Sequence, residues 1–339
     1  IRQNDDRANP DPYVGGTGGL RVGFSEYSGG APQLGLFDAM IIDWNNAGGG
    51  SYSAASNWSP ANVPDNSPDS ESARFDISGA YSVAFASGST TAAADLLITR
   101  GSVAFETAAG ATANATYNLD EQAIIDGGSL TVADSPSGFD VDLNVSGNVT
   151  INNASSLQIN GGTFTSNGAI TMSNSASLAL NAGALHANAG LLLDNASLQT
   201  QAGATLNLGS LQPLTIQNGG TANFAGNRTI DNANAISVGG IGSPFTANGE
   251  LTISGGSSLD INTGGVMSND KAGAGLVVDN ASAIIQGASS ELDFIGAEGP
   301  SIDEDGAPGG SVTVQLGGQF DLDGLSTVRL DGGNGGSSG

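Results

Sequence analysis

A repeat of about 21 residues constrains this chain more than any other feature. Apolar–polar–apolar triplets recur as Val149-Thr150-Ile151, Ile170-Thr171-Met172, Leu191-Leu192-Leu193, Leu214-Thr215-Ile216 and Ile236-Ser237-Val238, with first residues 21, 21, 23 and 22 apart. Later relatives are Leu251-Thr252-Ile253, Leu276-Val277-Val278 and Val312-Thr313-Val314, at irregular spacing. A second phrase follows each triplet after a polar turn: Ser155-Ser156-Leu157-Gln158-Ile159, then Ala176 to Leu180, Ala196 to Thr200, and again Ser257 to Ile261. A third phrase opens on Gly, as in Gly162-Thr163-Phe164-Thr165, Gly183-Ala184-Leu185-His186, Gly203-Ala204-Thr205-Leu206 and Gly220-Thr221-Ala222-Asn223-Phe224.

One period therefore holds three short strands and three turns. Alternation turns Leu157 and Ile159 inward and Gln158 outward. A single coil cannot bury its apolar side, but coils stacked about 4.8 Å apart bury a continuous core. The expected fold is all-β: a parallel β-helix (β-solenoid) with an N-terminal cap and a non-repeating N-terminal arm. Residues 101–330 as the body imply on the order of eleven coils and a rod roughly 50 Å long. Asn and Gly in the turns tolerate positive φ. Turn propensity accounts for the recurrent Asn as readily as stacked side-chain ladders do. An antiparallel sandwich expects two-residue hairpins and more aromatics than 5%. A leucine-rich repeat expects a fixed Leu/Asn signature that is absent.

The ends depart from the repeat. Residues 1–43 carry two strand-like runs, with Leu20, Val22, Phe24, Leu34, Leu36 and Phe37 as the apolar positions of an arm able to donate a strand to a neighbouring subunit. Residues 44–100 hold both Trp of the chain, and Trp44, Trp58 and Phe75 are the expected bulk of a cap over the first coils. Residues 331–339 read as a Gly/Ser-rich linker. The chain opens at Ile1 with no basic and apolar leader, which is expected of an exported chain whose signal has been removed.

The formal net charge of −25, from 33 acids against 8 Lys and Arg, argues against a nucleic-acid partner, and no apolar run is long enough for membrane insertion. Scarce Lys and an acidic surface suit a saline exterior in which cations screen self-repulsion. With no Cys, there is neither a disulfide framework nor a thiolate site.

From Trp44 through Asn57-Trp58-Ser59, Val63-Pro64 and Ala73-Arg74-Phe75, followed by Gly/Asn/Ala/Ser/Leu repeats, the chain resembles bacterial surface β-helix repeat proteins. These include autotransporter-type passenger domains and related extracellular proteins of planctomycetes and other Gram-negative bacteria. The resemblance runs from Trp44 to Leu330 and implies cell-surface display, adhesion, or the building of fibres and layers.

Parallel β-helices also carry polysaccharide-degrading enzymes, and each such chemistry expects its own phrase. A lyase expects a Lys or Arg beside calcium-binding acids, but the chain has one Lys and few Arg along the coils. The single His, His186, lies in Ala184-Leu185-His186-Ala187 without a partner phrase, and its strand phase turns it outward. Asp303, Glu304 and Asp305, in a Gly/Pro-rich insert, are candidate calcium ligands, with Asp65, Asp69 and Glu71 a second acidic set; each reads first as a solvated acidic loop and second as a calcium site. No other cofactor is expected. The expected function is an extracellular structural protein that self-associates into a filament or layer. The alternative is a monomeric adhesin for glycan, recognising it through period-breaking loops at 239–250, 268–275 and 297–310. A carbohydrate-active enzyme ranks last.

Overall fold

The computed structural model describes residues 21–25, 33–37, 40–65, 70–230, 234–269, 275–286, 289–295, 311–315, 319–322 and 327–331. It is an all-β solenoid of parallel strands, about nine turns of about 23 residues. Among the described residues, strands of one turn of the body pair in parallel with strands of the next, and the rod has three faces; antiparallel pairs occur at the N-terminal end.

The first face begins at Ile41–Trp44 and runs through Val149–Asn152, Ile170–Ser173, Leu191–Asp194, Pro213–Gln217 and Ala235–Gly239. Its inward column includes Val149, Ile170, Leu191, Leu214, Ile236 and Leu259, each at most 2% exposed. Full burial of such a side chain contributes about 1.5–3 kcal/mol, repeated coil after coil. The second face carries Ser129–Val132, Ser156–Ile159, Ser177–Leu180, Ser197–Thr200, Thr221–Ala225 and Ser243–Asn248. Near the N-terminus, single strands bend through the first corner to serve both faces, as Ser72–Phe85 and Leu96–Thr107 do.

The third face is split. One sheet runs from Thr90–Ala93 to Thr205–Leu208, and a separate one from Arg228–Ile230 to Ser311–Gln315. No ladder joins Thr205–Leu208 to Arg228–Ile230, although they lie on successive turns.

The repeat phrases do not track faces throughout. Leu251-Thr252-Ile253 and Leu276-Val277-Val278 lie on the third face, not with the earlier triplets. The Ser257 to Ile261 phrase lies on the first face and Gly220 to Phe224 on the second. Every face asks for the same in–out–in alternation, so a phrase reports its pleat and not its face. The period is likewise uneven: 21 from Val149 to Ile170, but 27 from Leu96 to Ala123. Long corners, such as the one between Leu96–Thr107 and Ala115–Leu119, absorb the difference. Nine turns in place of eleven make the body from residue 101 about 43 Å long at 4.8 Å per turn.

The arm forms a hairpin, not a lone strand: Arg21–Ser25 pairs antiparallel with Gln33–Phe37, setting Val22 opposite Leu36 and Phe24 opposite Leu34. Leu20 lies outside the described residues. Ile41 already belongs to the first coil, through Ile41 opposite Ser72, so the arm ends earlier than the expected boundary at 43.

Candidate functional surface

The N-terminal end of the rod is closed. Trp44, Trp58 and Phe75 are buried, with ring centroids 4.9 Å apart for the Trp pair and 5.5 Å for Trp58 and Phe75. The cluster extends to Tyr52, Phe85, Phe105 and Tyr117, which the sequence reading missed. Each Trp finds an acceptor: Trp44 Nε1 donates to the Asn46 carbonyl at 2.8 Å and Trp58 Nε1 to the Tyr52 carbonyl at 2.7 Å. Trp58–Ser59 pairs antiparallel with Asp43 and Trp44 on the outer edge of Ile41–Trp44, covering that half of the first strand.

The acids beside the cap are structural. Glu71 accepts from the Asn62 amide at 2.6 Å and the Asp65 N–H at 3.0 Å, which pins the cap loop. Asp95, fully buried, accepts from the Ser72 hydroxyl at 2.7 Å. These carboxylates are engaged with protein donors. Asp69, Asp303, Glu304 and Asp305 lie outside the described residues. Among the described residues, no group of three or more His, Cys, Asp or Glu is placed to hold a metal. No described helix is long and apolar enough to cross a membrane.

Burial pushes the Tyr52 and Tyr117 phenols well above their ordinary range, and each lies 3.2 Å from the other's oxygen. Burial raises Tyr81 to about 12.

Charge is distributed unevenly along the chain. Eighteen of the acids precede residue 143, fourteen follow residue 230, and one, Asp194, lies between, balanced by Arg228. The middle turns form a neutral waist between two acidic flanks. Along and beyond this waist the second face stands apart. One outward column is Ser102, Ser129, Ser156, Ser177, Ser197 and Thr221, in register on six successive turns. Its neighbour is Ala104, Thr131, Gln158, Ala179, Gln199 and Asn223. These side chains are half-buried or exposed, and none is charged. By contrast, the first face turns Asp126, Asp194 and Asp260 outward, and the third face Asp142.

The corners are held by amide ladders. Asn181 donates to Asn160 at 2.8 Å and Asn188 to Asn167 at 2.9 Å, while within the third-face strands Asn144 donates to Asn118 at 3.0 Å. Asn153 and Asn218 instead donate to Asp126 and Asp194 of the preceding turn. Turn propensity operates too, since Asn153, Asn174, Asn195 and Asn218 all have φ near +53°. His186 turns outward as expected, and Asn207 Nδ2 lies 3.1 Å from its Nδ1.

The break in the third face exposes the core. A cavity of about 140 Å³ opens there, lined by Leu206, Leu208, Leu214, Phe224 and Ile230 among others. Arg228 reaches back across the corner, donating to the Ala204 and Gln201 carbonyls at 2.6 and 2.8 Å and to Thr200 Oγ1 at 3.0 Å. The sequence carried a signal for it: no other Lys or Arg lies between Arg100 and Lys271. The expected recognition loop at 239–250 is mostly the second-face strand Ser243–Asn248, while 270–274 and 296–310 lie outside the described residues.

Compared with protein-family models, curated proteins and solved structures, the chain matches none. Its surface is what bears on function.

Proposed function

We propose that this chain is an extracellular structural rod that works by subunit–subunit contact and performs no catalysis. The observation that carries the reading is the neutral waist. Two rods of net charge −25 repel, and the middle turns are where they can touch without bringing acids together. The aromatic cap supports contact along the sides over end-to-end stacking, because the apolar side chains of the first coil, Ile42, Trp44, Tyr52 and Trp58, are already buried. Display at the cell surface, as the resemblance to bacterial surface repeat proteins implies, fits the acid excess and the absence of Cys.

A second reading rests on the hydroxyl and amide columns of the second face, whose groups both donate and accept. They also suit a neutral glycan bound by a monomeric adhesin. Electron microscopy of the full chain, with and without Ca2+ in physiological saline, separates the two. Fibres or sheets with a lateral repeat are expected. Single rods at every protein and Ca2+ concentration would overturn the structural reading.

A further inference from the structure

We infer that the second face is the contact surface, and that its occupant is the second face of another copy, admitted only when salt screens the acidic flanks. The inference rests on the self-association proposed above and adds the surface, the partner and the trigger.

Three observations carry it. The first is charge. From Ser129–Val132 to Ser243–Asn248, six successive strands turn no ionisable side chain outward. The first face has aliphatic groups outside, including Ile124 and Leu192, but the adjacent column holds Asp126 and Asp194. A partner stacked there would bury carboxylates without cations to pair them, which is costly.

The second is shape. Ser and Ala are short, so two such sheets approach to the usual spacing of about 10 Å. Gln158 and Gln199 stand either side of Ala179 in the same column. A two-fold axis parallel to the strands, passing between the turns of Gln158 and Ala179, sets each Gln158 over the notch at Ala179 of the other copy. That is the self-complementarity an isologous contact requires. The Gln amides and Ser hydroxyls can pair across it, so desolvation leaves no obligatory orphan.

The third is area. Leaving out Leu96–Thr107, which turns Glu106 outward, seven strands from Ser129–Val132 to Gly265–Asn269, spaced about 4.8 Å and about 13 Å wide, give a footprint of about 440 Å² a side. The total of about 900 Å² is just under the roughly 1,000 Å² of a specific stable contact and in the range of weak ones. Such a contact is weak and yields to the repulsion of the flanks unless that is screened. The screening length is about 30 Å at 0.01 M salt, about 8 Å at 0.15 M and about 3 Å at 1 M. Two rods in contact feel each other's flanks in the first condition and hardly in the last.

The test is sedimentation velocity of the full chain across that salt series, on three proteins: the natural sequence, the second-face variant Ser156→Asp/Ser177→Asp/Ser197→Asp, and a charge-matched first-face variant Thr150→Asp/Thr171→Asp/Thr215→Asp. Circular dichroism verifies that all three fold alike. If a triple variant misfolds, the single variants Ser177→Asp and Thr171→Asp take its place. The expected result is association that strengthens with salt in the natural and first-face proteins, and monomers throughout in the second-face variant. Association that survives in the second-face variant, or is lost equally in both variants, overturns the surface assignment while leaving self-association standing. Association that weakens with salt overturns the trigger. Monomers of the natural protein at every salt overturn this inference and the reading beneath it. Salt-independent retention on insoluble neutral polysaccharide, lost only in the second-face variant, would give the face to a glycan.

Discussion

At the scale of single residues, the tightest constraint is where one coil sits on the next. Gly183 has φ of +68°, and a Cβ there would lie 2.3 Å from the Gly162 carbonyl oxygen of the preceding turn. Gly203, the corresponding opening Gly of the next repeat phrase, has φ of +89° but open space around it. Gly203→Ala therefore meets only the left-handed backbone penalty, about 1 kcal/mol. Gly183→Ala adds a backbone collision and is expected to cost about 2–3 kcal/mol. Denaturant melts of the two variants check the difference, and equal costs would show that coil contact is unimportant. The repeat phrase made both Gly conspicuous, yet it could not separate them, because the distinction depends on the turn beneath.

At the scale of elements, the weak point is the break in the third face. Thr205 and Gly209 donate their N–H groups back to Gly183 and Ala187. By alternation, the N–H groups of Leu206 and Leu208 face the gap. Amide exchange is expected to be faster at those two positions than at Leu185, whose strand is paired on both sides. Arg228 is the bridge across the corner, so Arg228→Ala removes three hydrogen bonds and is expected to destabilise this segment by about 1–3 kcal/mol. Exchange at Leu206 and Leu208 should accelerate while Val149–Asn152 stays protected. Uniform acceleration along the rod would instead mean that Arg228 supports the whole fold. Nothing in the local pattern of Thr205 to Leu208 announces the break, since its alternation matches that of paired strands. The lone Arg in a neutral stretch was the legible clue.

At the scale of the whole molecule, stability is expected to depend on pH through the cap. Burial raises the phenols of Tyr52, Tyr81 and Tyr117, so the folded state holds their protons at pH values where the unfolded chain has released them. Their contribution is complete below the unfolded value near 10 and is lost as pH rises through the folded values. The N-terminal turns should therefore open first in alkali, between pH 10 and about 12. Tyrosinate absorbance should lag in the natural protein and rise together with loss of Trp44 and Trp58 burial, read by fluorescence. Tyr52→Phe and Tyr117→Phe should flatten that dependence, and an unchanged alkaline profile would discount the cap as its source. The charge map belongs to this scale too: the acid count was plain in the sequence, but the charge-free second face emerged only when strands were assigned to faces.

The sequence by itself determined the class of fold. Short alternating strands at a near-constant period can bury their apolar residues only by stacking coils, so a solenoid with Trp44, Trp58 and Phe75 at one end was legible from pattern alone. The tertiary structure decided which strand lies on which face, where the third sheet breaks, and that Glu71 and Asp95 are tied to Asn62, Asp65 and Ser72 and so held within the cap. The physical reason is that alternation records only in or out. Face, neighbour and hydrogen-bond partner depend on corner lengths and on contacts some 20 to 30 residues apart, which no local pattern contains.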